Sequence, residues 1–451
     1  MTYISNQEKQ ADTLIALIPI RESEFEGWQK SASAEHGKWV AANGFTAKPG
    51  EVCTLQDGES GIRQCVFGMQ KDGWLGQLSP ITSKLPAGDY QLQCDWSRDQ
   101  RLQASLGWGL DLYRFSRYKK NPVPKVRLVL DSDIESEADS LCAAQNLVRD
   151  LVNTPTEDMG PSQLATAVAR EADRHDAKSR SISGKKLLDQ NFPAIHVVGR
   201  ASHRKPRLIR MSWGNKDAPK LILVGKGVCF DTGGLDIKSA AGMGNMKKDM
   251  GGAAHALALS RLVMEHNLPV RLELLISAVE NSISGNAYRP GDIISTRKGL
   301  SVEIGNTDAE GRVVLSDALT FACEQEPDLV IDFATLTGAA RIAMGADVVP
   351  LFSNQLEIAQ AIQAAGEEAE DPMWTLPLYQ PYRKQIESPI ADLNNSGKSS
   401  YAGCITAALF LESFVKPDIP WVHIDTFAWN LESRPGRPQG GEALGLRAVI
   451  R

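Results

Sequence analysis

The stretch 221–225 (LILVG) is apolar at every position and breaks at once into the charged, glycine-rich run 226–234 (KGVCFDTGG). A strand without polar alternation is one covered on both faces, which places it inside a parallel sheet between helix layers. Apolar runs of strand length recur at 272–279, 329–333 and 421–424, and helical patterns separate them at 253–266, 313–325, 356–369 and 405–415. Strands alternating with helices predict an α/β fold, with a central mixed sheet flanked by helices. In such sheets ligands bind beyond the strand ends, where the charged turn at 226–234 falls.

At 451 residues the chain exceeds the roughly 250–300 residues that one core usually serves, so two domains are expected. Before the central stretch, 14–20 (LIALIPI), 64–69 and 125–131 read as strands, and 100–113 reads as a helix with Leu102, Leu106, Leu110 and Tyr113 on one face. These elements predict a smaller N-terminal α/β domain over 1–132. Asp133 can cap a helix through Leu141, Leu147 and Leu151 that stops at Asn153-Thr154-Pro155, giving a linker helix over 133–158. The catalytic domain then covers 159–451, beginning with a helix after Pro161 and strands at 194–198 and 208–212. Arg114, Arg117, Lys119 and Lys120 form a basic cluster, either a solvated face or a phosphate contact.

The net charge of −6 gives no general attraction to nucleic acid or to an anionic membrane. Seven dispersed cysteines without a C-x-x-C pair point away from a disulfide or zinc framework and toward a reducing compartment. The opening MTYISNQEKQADT lacks a leader's basic and apolar regions, and no apolar run approaches the ~20 residues of a membrane span. A soluble protein of the cytoplasm is expected.

The chemistry is concentrated in three pieces between 225 and 312. Asp231, Asp249, Asp308 and Glu310 are carboxylates near turns, and Asp308 and Glu310 are two apart, so an extended chain points both the same way. Such an array needs cations. Divalent ions suit carboxylate-rich sites, and two of them ~3.5–4 Å apart can share bridging carboxylates, activate water and polarise a carbonyl. Lys226 and Lys238 are either ion-pair partners of these acids, or Lys226 is a neutral nitrogen ligand and Lys238 a charged donor to a substrate carbonyl. Gly233-Gly234 and Gly251-Gly252 fit tight turns and close helix packing under either reading. Of the seven histidines only His255 lies beside these motifs, and it reads as a packed or surface residue.

GKGVCFDTGG at 225–234, KKDMGGAA at 247–254, NTDAEGR at 306–312 and ATLTGA at 334–339 resemble the motifs of the leucyl aminopeptidase family, the M17 cytosolic metallopeptidases. RDLVNTP, YRKQIESPIADLNN and GCITAALFL extend the likeness over about 135–451. The resemblance implies a two-metal exopeptidase that takes apolar, Leu- or Met-like residues from the N-termini of short peptides, assembled as a homohexamer of two trimers. It makes Asp231 and Glu310 bridging ligands, with Lys226 and Asp249 completing one site and Asp308 the other, and it suggests zinc or manganese. Lys238 and Arg312 match the family's catalytic pair: the first steadies the carbonyl, and the second holds a bicarbonate that acts as general base. Met246, Thr335 and Gly338 match the first side-chain pocket, and Leu336 matches a position that offers backbone to the peptide.

Three positions depart from the family pattern: Thr232 for serine, Lys248 for tyrosine or a small residue, and Gly305 for leucine. None adds or removes a ligand. Some family members double as DNA-binding accessory proteins, so a non-catalytic hexameric nucleic-acid-binding role is the alternative. Retention of all the ligand positions together with Lys238 and Arg312 speaks for the enzyme. A two-metal phosphoesterase would call for histidine ligands and would not use the ATLTGA stretch.

Overall fold

The computed structural model describes residues 3–5, 14–56 and 62–451. The chain forms two compact units, residues 1–146 with 432–439, and residues 147–431 with 440–451. The helix Glu135–Asn153 carries the chain from one into the other.

In the first unit, β1 (Tyr3–Ser5), β2 (Leu14–Ile20), β3 (Val52–Gln56), β4 (Ile62–Gly68), β5 (Gly88–Leu92) and β6 (Val126–Leu130) form a sheet of order β1-β6-β5-β2-β4-β3. Its pairings are parallel except for β3 on β4. The helix Arg98–Asp111 starts with a capping box, Ser97 and Gln100 exchanging side-chain and backbone bonds, which satisfies two of the first-turn N–H groups. It buries Leu102, Leu106 and Leu110 together with Trp108, as their spacing predicts, whereas Tyr113 lies beyond its end and is half-buried. In the basic cluster Arg117, Lys119 and Lys120 are exposed, and Arg114 turns back to donate to the Tyr113 carbonyl at 2.7 Å, which favours the solvated-face reading.

The second unit contributes β7 (Lys178–Ser183), β8 (Arg207–Trp213), β9 (Lys220–Asp231), β10 (Arg271–Asn281), β11 (Ile293–Ser295), β12 (Ser301–Glu303), β13 (Leu329–Ala334), β14 (Val349–Ser353), β15 (Met373–Thr375), β16 (Leu393–Asn394) and β17 (Trp421–Asp425). Eight of these make one mixed sheet of order β15-β14-β17-β13-β9-β10-β8-β7. Its centre, β17-β13-β9-β10, is parallel, with β14 and β8 joining it antiparallel. The strands expected at 221–225, 272–279, 329–333 and 421–424 are these four.

Adjacent residues of β9 show why it has no polar face. Val224 packs in a cluster with Val313, Val314 and Ala318 of the helix Glu310–Cys323. Gly225 faces the other way, against the helix Gly251–Glu265, so closely that a Cβ would come 2.6 Å from the Cα of Ala253. The two helices therefore cover opposite faces. From β9 the chain crosses to β10 on one side and later returns to β13 on the other, which makes the end of β9 the topological switch point where such sheets bind ligands.

Residues 194–198 form a helix, Pro193–Gly199, and not the expected strand. Pro193 at the first turn has its φ preset for a helix. The Asp317 carboxylate accepts from Ala194 N at 2.8 Å and Ile195 N at 3.2 Å, doing the work of a cap from a distant segment. A short helix buried all round has the apolar signature of a buried strand, and only the tertiary partner distinguishes them.

Candidate metal centre

Lys226 lies inside β9 and Asp231 at its end. Five residues apart, they would face opposite sides of a regular strand. The pairing of β9 with β10 slips by one residue between Val228↔Val279 and Phe230↔Glu280. The extra residue, Cys229, restores Asp231 to the face of Lys226. The same slip sets Asn281 opposite Asp231, and its amide donates to Asp231 Oδ1 at 2.8 Å. Gly233 N donates to the same oxygen at 2.9 Å. Gly233 and Gly234 both hold positive φ, 87° and 65°, so the tight-turn reading of this pair is met.

The other carboxylates come from helix entrances. Asp249 sits in the 3-10 turn Met246–Met250 that leads into Gly251–Glu265, and Glu310 is the first residue of Glu310–Cys323. Asp308 belongs to the turn before it, so Asp308 and Glu310 converge through a turn onto a helix and not along an extended chain. The positive ends of two helix dipoles thus face the acids.

Asp231, Asp308 and Glu310 bring carboxylate oxygens within 4.8 Å of one another. Asp249 joins them through Lys226, whose Nζ lies 2.8 Å from Asp249 Oδ2 and 3.0 Å from Glu310 Oε1, and donates to the Thr335 carbonyl at 2.9 Å. Lys238 Nζ is 2.9 Å from Asp231 Oδ2 and pairs closely with Asp308. Both lysines are therefore ion-pair partners of the acids. Burial pushes Lys226 down, yet Asp249, Glu310 and Asp231 outweigh it and hold the ammonium above its ordinary value. Only a cation that takes over those carboxylates removes the opposition. Burial likewise opposes charge on Lys238, and Asp231 and Asp308 override it.

The acids show the strain of proximity. Burial, then Asp231, raises Glu310 well above the usual carboxylate range, and the same two causes push Asp308 up to about 6 against the pull of Lys238. Asp249 Oδ2, Asp308 Oδ1 and Glu310 Oε1 are buried and met only by the two lysine ammoniums, and Glu310 Oε2 is buried with no partner among the described residues. Buried carboxylate oxygens without donors are costly, and hard divalent ions satisfy that kind of donor set. Lys226, Asp231, Asp249, Asp308 and Glu310 accordingly fit a metal centre on their chemistry.

Arg312 lies two residues into the same helix as Glu310, with Nη1 donating to the Asn395 carbonyl at 2.8 Å and Nε buried without an acceptor; burial pushes it down to about 10. Thr335 is buried, and its hydroxyl donates to Asp249 Oδ1 at 2.8 Å. Leu336 and Met246 are half-buried, and Gly338 is exposed at the start of the helix Gly338–Met344. Lys248 is buried, with its ammonium 5.1 Å from the centre of the Phe427 ring. His255 is fully buried between the Gly251 carbonyl, 2.7 Å from Nδ1, and Leu444 N, which donates to Nε2 at 3.0 Å, so it is a packing residue.

Three positioning residues escaped the sequence reading. Asn281 holds Asp231. Asn395 accepts from Gly305 N at 2.8 Å and donates to the Asn306 carbonyl at 2.8 Å, fixing the turn that presents Asp308. Asp425, at the end of β17, accepts from Leu336 N and Thr337 N at 2.9 and 3.2 Å. The signal for Asp425 was present: it is the acidic residue that closes β17, as Asp231 closes β9.

Residues 146–450 match the catalytic domain of the cytosol aminopeptidase family, and residues 15–131 match the N-terminal domain of the M17 aminopeptidases. A probable cytosol aminopeptidase of Roseiflexus castenholzii is 40% identical over 361 residues, 76% of this chain and 73% of the relative. The crystal structure of a cytosol aminopeptidase from Coxiella burnetii superposes with a TM-score of 0.95 at 47% identity, over 100% of this chain and 98% of that one. The bottromycin maturation enzyme BotP, in complex with Mn, gives a TM-score of 0.87 at 29% identity, covering 98% of each chain.

Proposed function

The chain belongs to the cytosol aminopeptidase family, and from that premise we propose that it removes N-terminal residues, preferably apolar ones of the Leu and Met kind, from short peptides. Lys226, Asp231, Asp249, Asp308 and Glu310 would hold two divalent ions, zinc or manganese. When bound, the ions supply Lewis acidity toward the peptide carbonyl and an activated water. The observation that carries the reading is the convergence of the Asp231, Asp308 and Glu310 carboxylates within 4.8 Å of one another, with Glu310 Oε2 buried and without a partner among the described residues. The manganese in BotP agrees with it.

The protein's own groups do the rest. Lys238 donates to the carbonyl oxygen as charge develops there, a preorganised interaction that grows toward the transition state. Arg312, steadied by Asn395, would hold a bicarbonate with its remaining N–H groups, and that anion would supply a general base. Thr335 fixes Asp249, and Leu336 offers its backbone to the peptide. Met246, Thr335 and Gly338 form the side-chain pocket, where the flexible thioether of Met246 accommodates Leu, Met and similar residues.

The substrate's α-amine must enter uncharged and unblocked. A panel of aminoacyl substrates assayed with and without added manganese should show metal-dependent release favouring Leu and Met. Efficient hydrolysis of an N-acetylated peptide would sink the reading. We place the enzyme in the cytoplasm as a homohexamer. Ile342 and Tyr401, 90% and 81% exposed in the single chain, are the kind of apolar surface that assembly covers. Light scattering that returned an active monomer would remove the hexamer. Nothing in the site favours the nucleic-acid-binding alternative.

A further inference from the structure

The loop 335–337 joins β13 to the helix Gly338–Met344 and touches the metal centre twice. Its Thr335 carbonyl accepts from Lys226, and its Thr335 hydroxyl donates to Asp249. The N–H groups of its Leu336 and Thr337 end on one residue. Leu336 N and Thr337 N donate to Asp425 Oδ1 at 2.9 and 3.2 Å, and the Thr337 hydroxyl donates to Asp425 Oδ2 at 2.6 Å. Asp425 is itself buried at the end of β17, the strand paired with β13.

A trans peptide unit points its C=O opposite to its N–H. Anchoring the Leu336 N–H on Asp425 therefore aims the Thr335 carbonyl at Lys226, as observed. Anchoring the Thr337 N–H aims the Leu336 carbonyl away from Asp425, and no donor among the described residues reaches that oxygen. One carboxylate thus sets the direction of two carbonyls, one that holds a residue of the metal centre and one left open as an acceptor.

We infer that Asp425 is a positioning residue for the peptidase reaction: it orients the Leu336 carbonyl toward an N–H of the bound peptide and the Thr335 carbonyl toward Lys226. This rests on the function proposed above. A carboxylate suits the task because it accepts from two amides and a hydroxyl at once, whereas a side-chain amide offers a single oxygen.

Three measurements on the full-length protein test it. Hydrogen exchange at the Leu336 and Thr337 amides should be slow in the parent and fast in Asp425→Ala, whether or not the protein is active. Titration with Mn2+ should show weaker binding in Asp425→Ala. Steady-state kinetics on a short Leu-initiated peptide at saturating Mn2+ should show KM raised roughly ten-fold, the scale of a lost charge-assisted hydrogen bond, with kcat changing far less. Asp425→Asn should recover part of the KM loss. It also carries the test should the alanine variant fail to fold, because its single amide oxygen still leaves KM above the parent value. A residue with a merely structural role would lower thermal stability and leave KM alone. Parent-like KM in the folded variants, or fast exchange of both amides in the parent, overturns the inference. An inactive parent with protected amides would instead strike the proposed function and leave the anchoring role of Asp425 standing.

Discussion

The metal centre contains the same chemical pair twice, and the two copies sit in different surroundings. Lys226 projects from the middle of a sheet strand, 3% exposed, between Asp249 and Glu310 and fastened by the Thr335 carbonyl. Lys238 stands on the loop after Gly233-Gly234, 15% exposed, between Asp231 and an Asp308 that is 32% exposed. A lysine held on all sides inside a sheet cannot follow a substrate. One on a loop at the rim can reach a group that enters from solvent. On burial and backbone we propose the inner lysine for the ions and the outer one for the peptide.

The sharpest way to break this assignment is Lys226→Ala. It leaves Asp249 and Glu310 buried without their cation, and removing one partner of a buried pair costs about 3–5 kcal/mol. The variant should melt earlier, bind less metal and turn over little, and added Mn2+ should return much of the lost melting temperature by replacing the missing charge. A variant with full metal content and parent stability would contradict the inner role.

Lys238→Ala comes next and should behave in the opposite way. Loss of one donor to a developing oxyanion is commonly worth roughly 100- to 1,000-fold in kcat, and the partly open site lets water replace the ammonium against Asp308. Metal analysis should find both ions present. Should Lys238→Ala lose metal while Lys226→Ala keeps it, the two roles are reversed.

The sequence disclosed the charged groups of both halves but not what positions them. Every carboxylate and both lysines were legible as candidates, because they are charged residues close in sequence to an apolar run or a glycine pair. The central strands were legible for the same reason, being apolar runs of the right length. What could not be read was registry. The slip at Cys229 that brings Asp231 to the face of Lys226 depends on the neighbouring strand. The helix Pro193–Gly199 was mistaken for a strand because its cap, Asp317, lies more than a hundred residues away in sequence. Asn281 and Asn395 were invisible as site residues since asparagine is common in turns, and only contact shows what it holds.

Asn281 touches the site through Asp231, and Asn281→Ala removes that contact. Its amide fixes Asp231 Oδ1 and also donates to the Thr307 carbonyl at 3.0 Å, tying the strand end to the turn that carries Asp308. Outer partners of metal ligands are typically worth about 10- to 100-fold in affinity. Equilibrium dialysis against Mn2+ should show that loss in Asn281→Ala with kcat at saturating metal nearly preserved. Equal affinity in parent and variant would mean that the backbone turn alone holds Asp231.

The mildest test uses protons in place of mutations. Burial and the neighbouring Asp231 push the Asp308 carboxyl up to about 6 although Lys238 pulls it down. A proton and a divalent ion compete for the same carboxylate oxygens, and the proton gains as pH falls, so affinity for the ion must decline on the acidic side and level off on the basic side. With a midpoint near that value, Mn2+ binding should weaken by about ten-fold between pH 7 and pH 5, one decade per unit once Asp308 is mostly protonated. Asp308→Asn, which has no proton to lose there, should bind more weakly at every pH and show a shallower decline. A decline of the same steepness in Asp308→Asn would move the titration onto the inner carboxylates, Glu310 first, whose carboxyl burial and Asp231 raise well above the usual range.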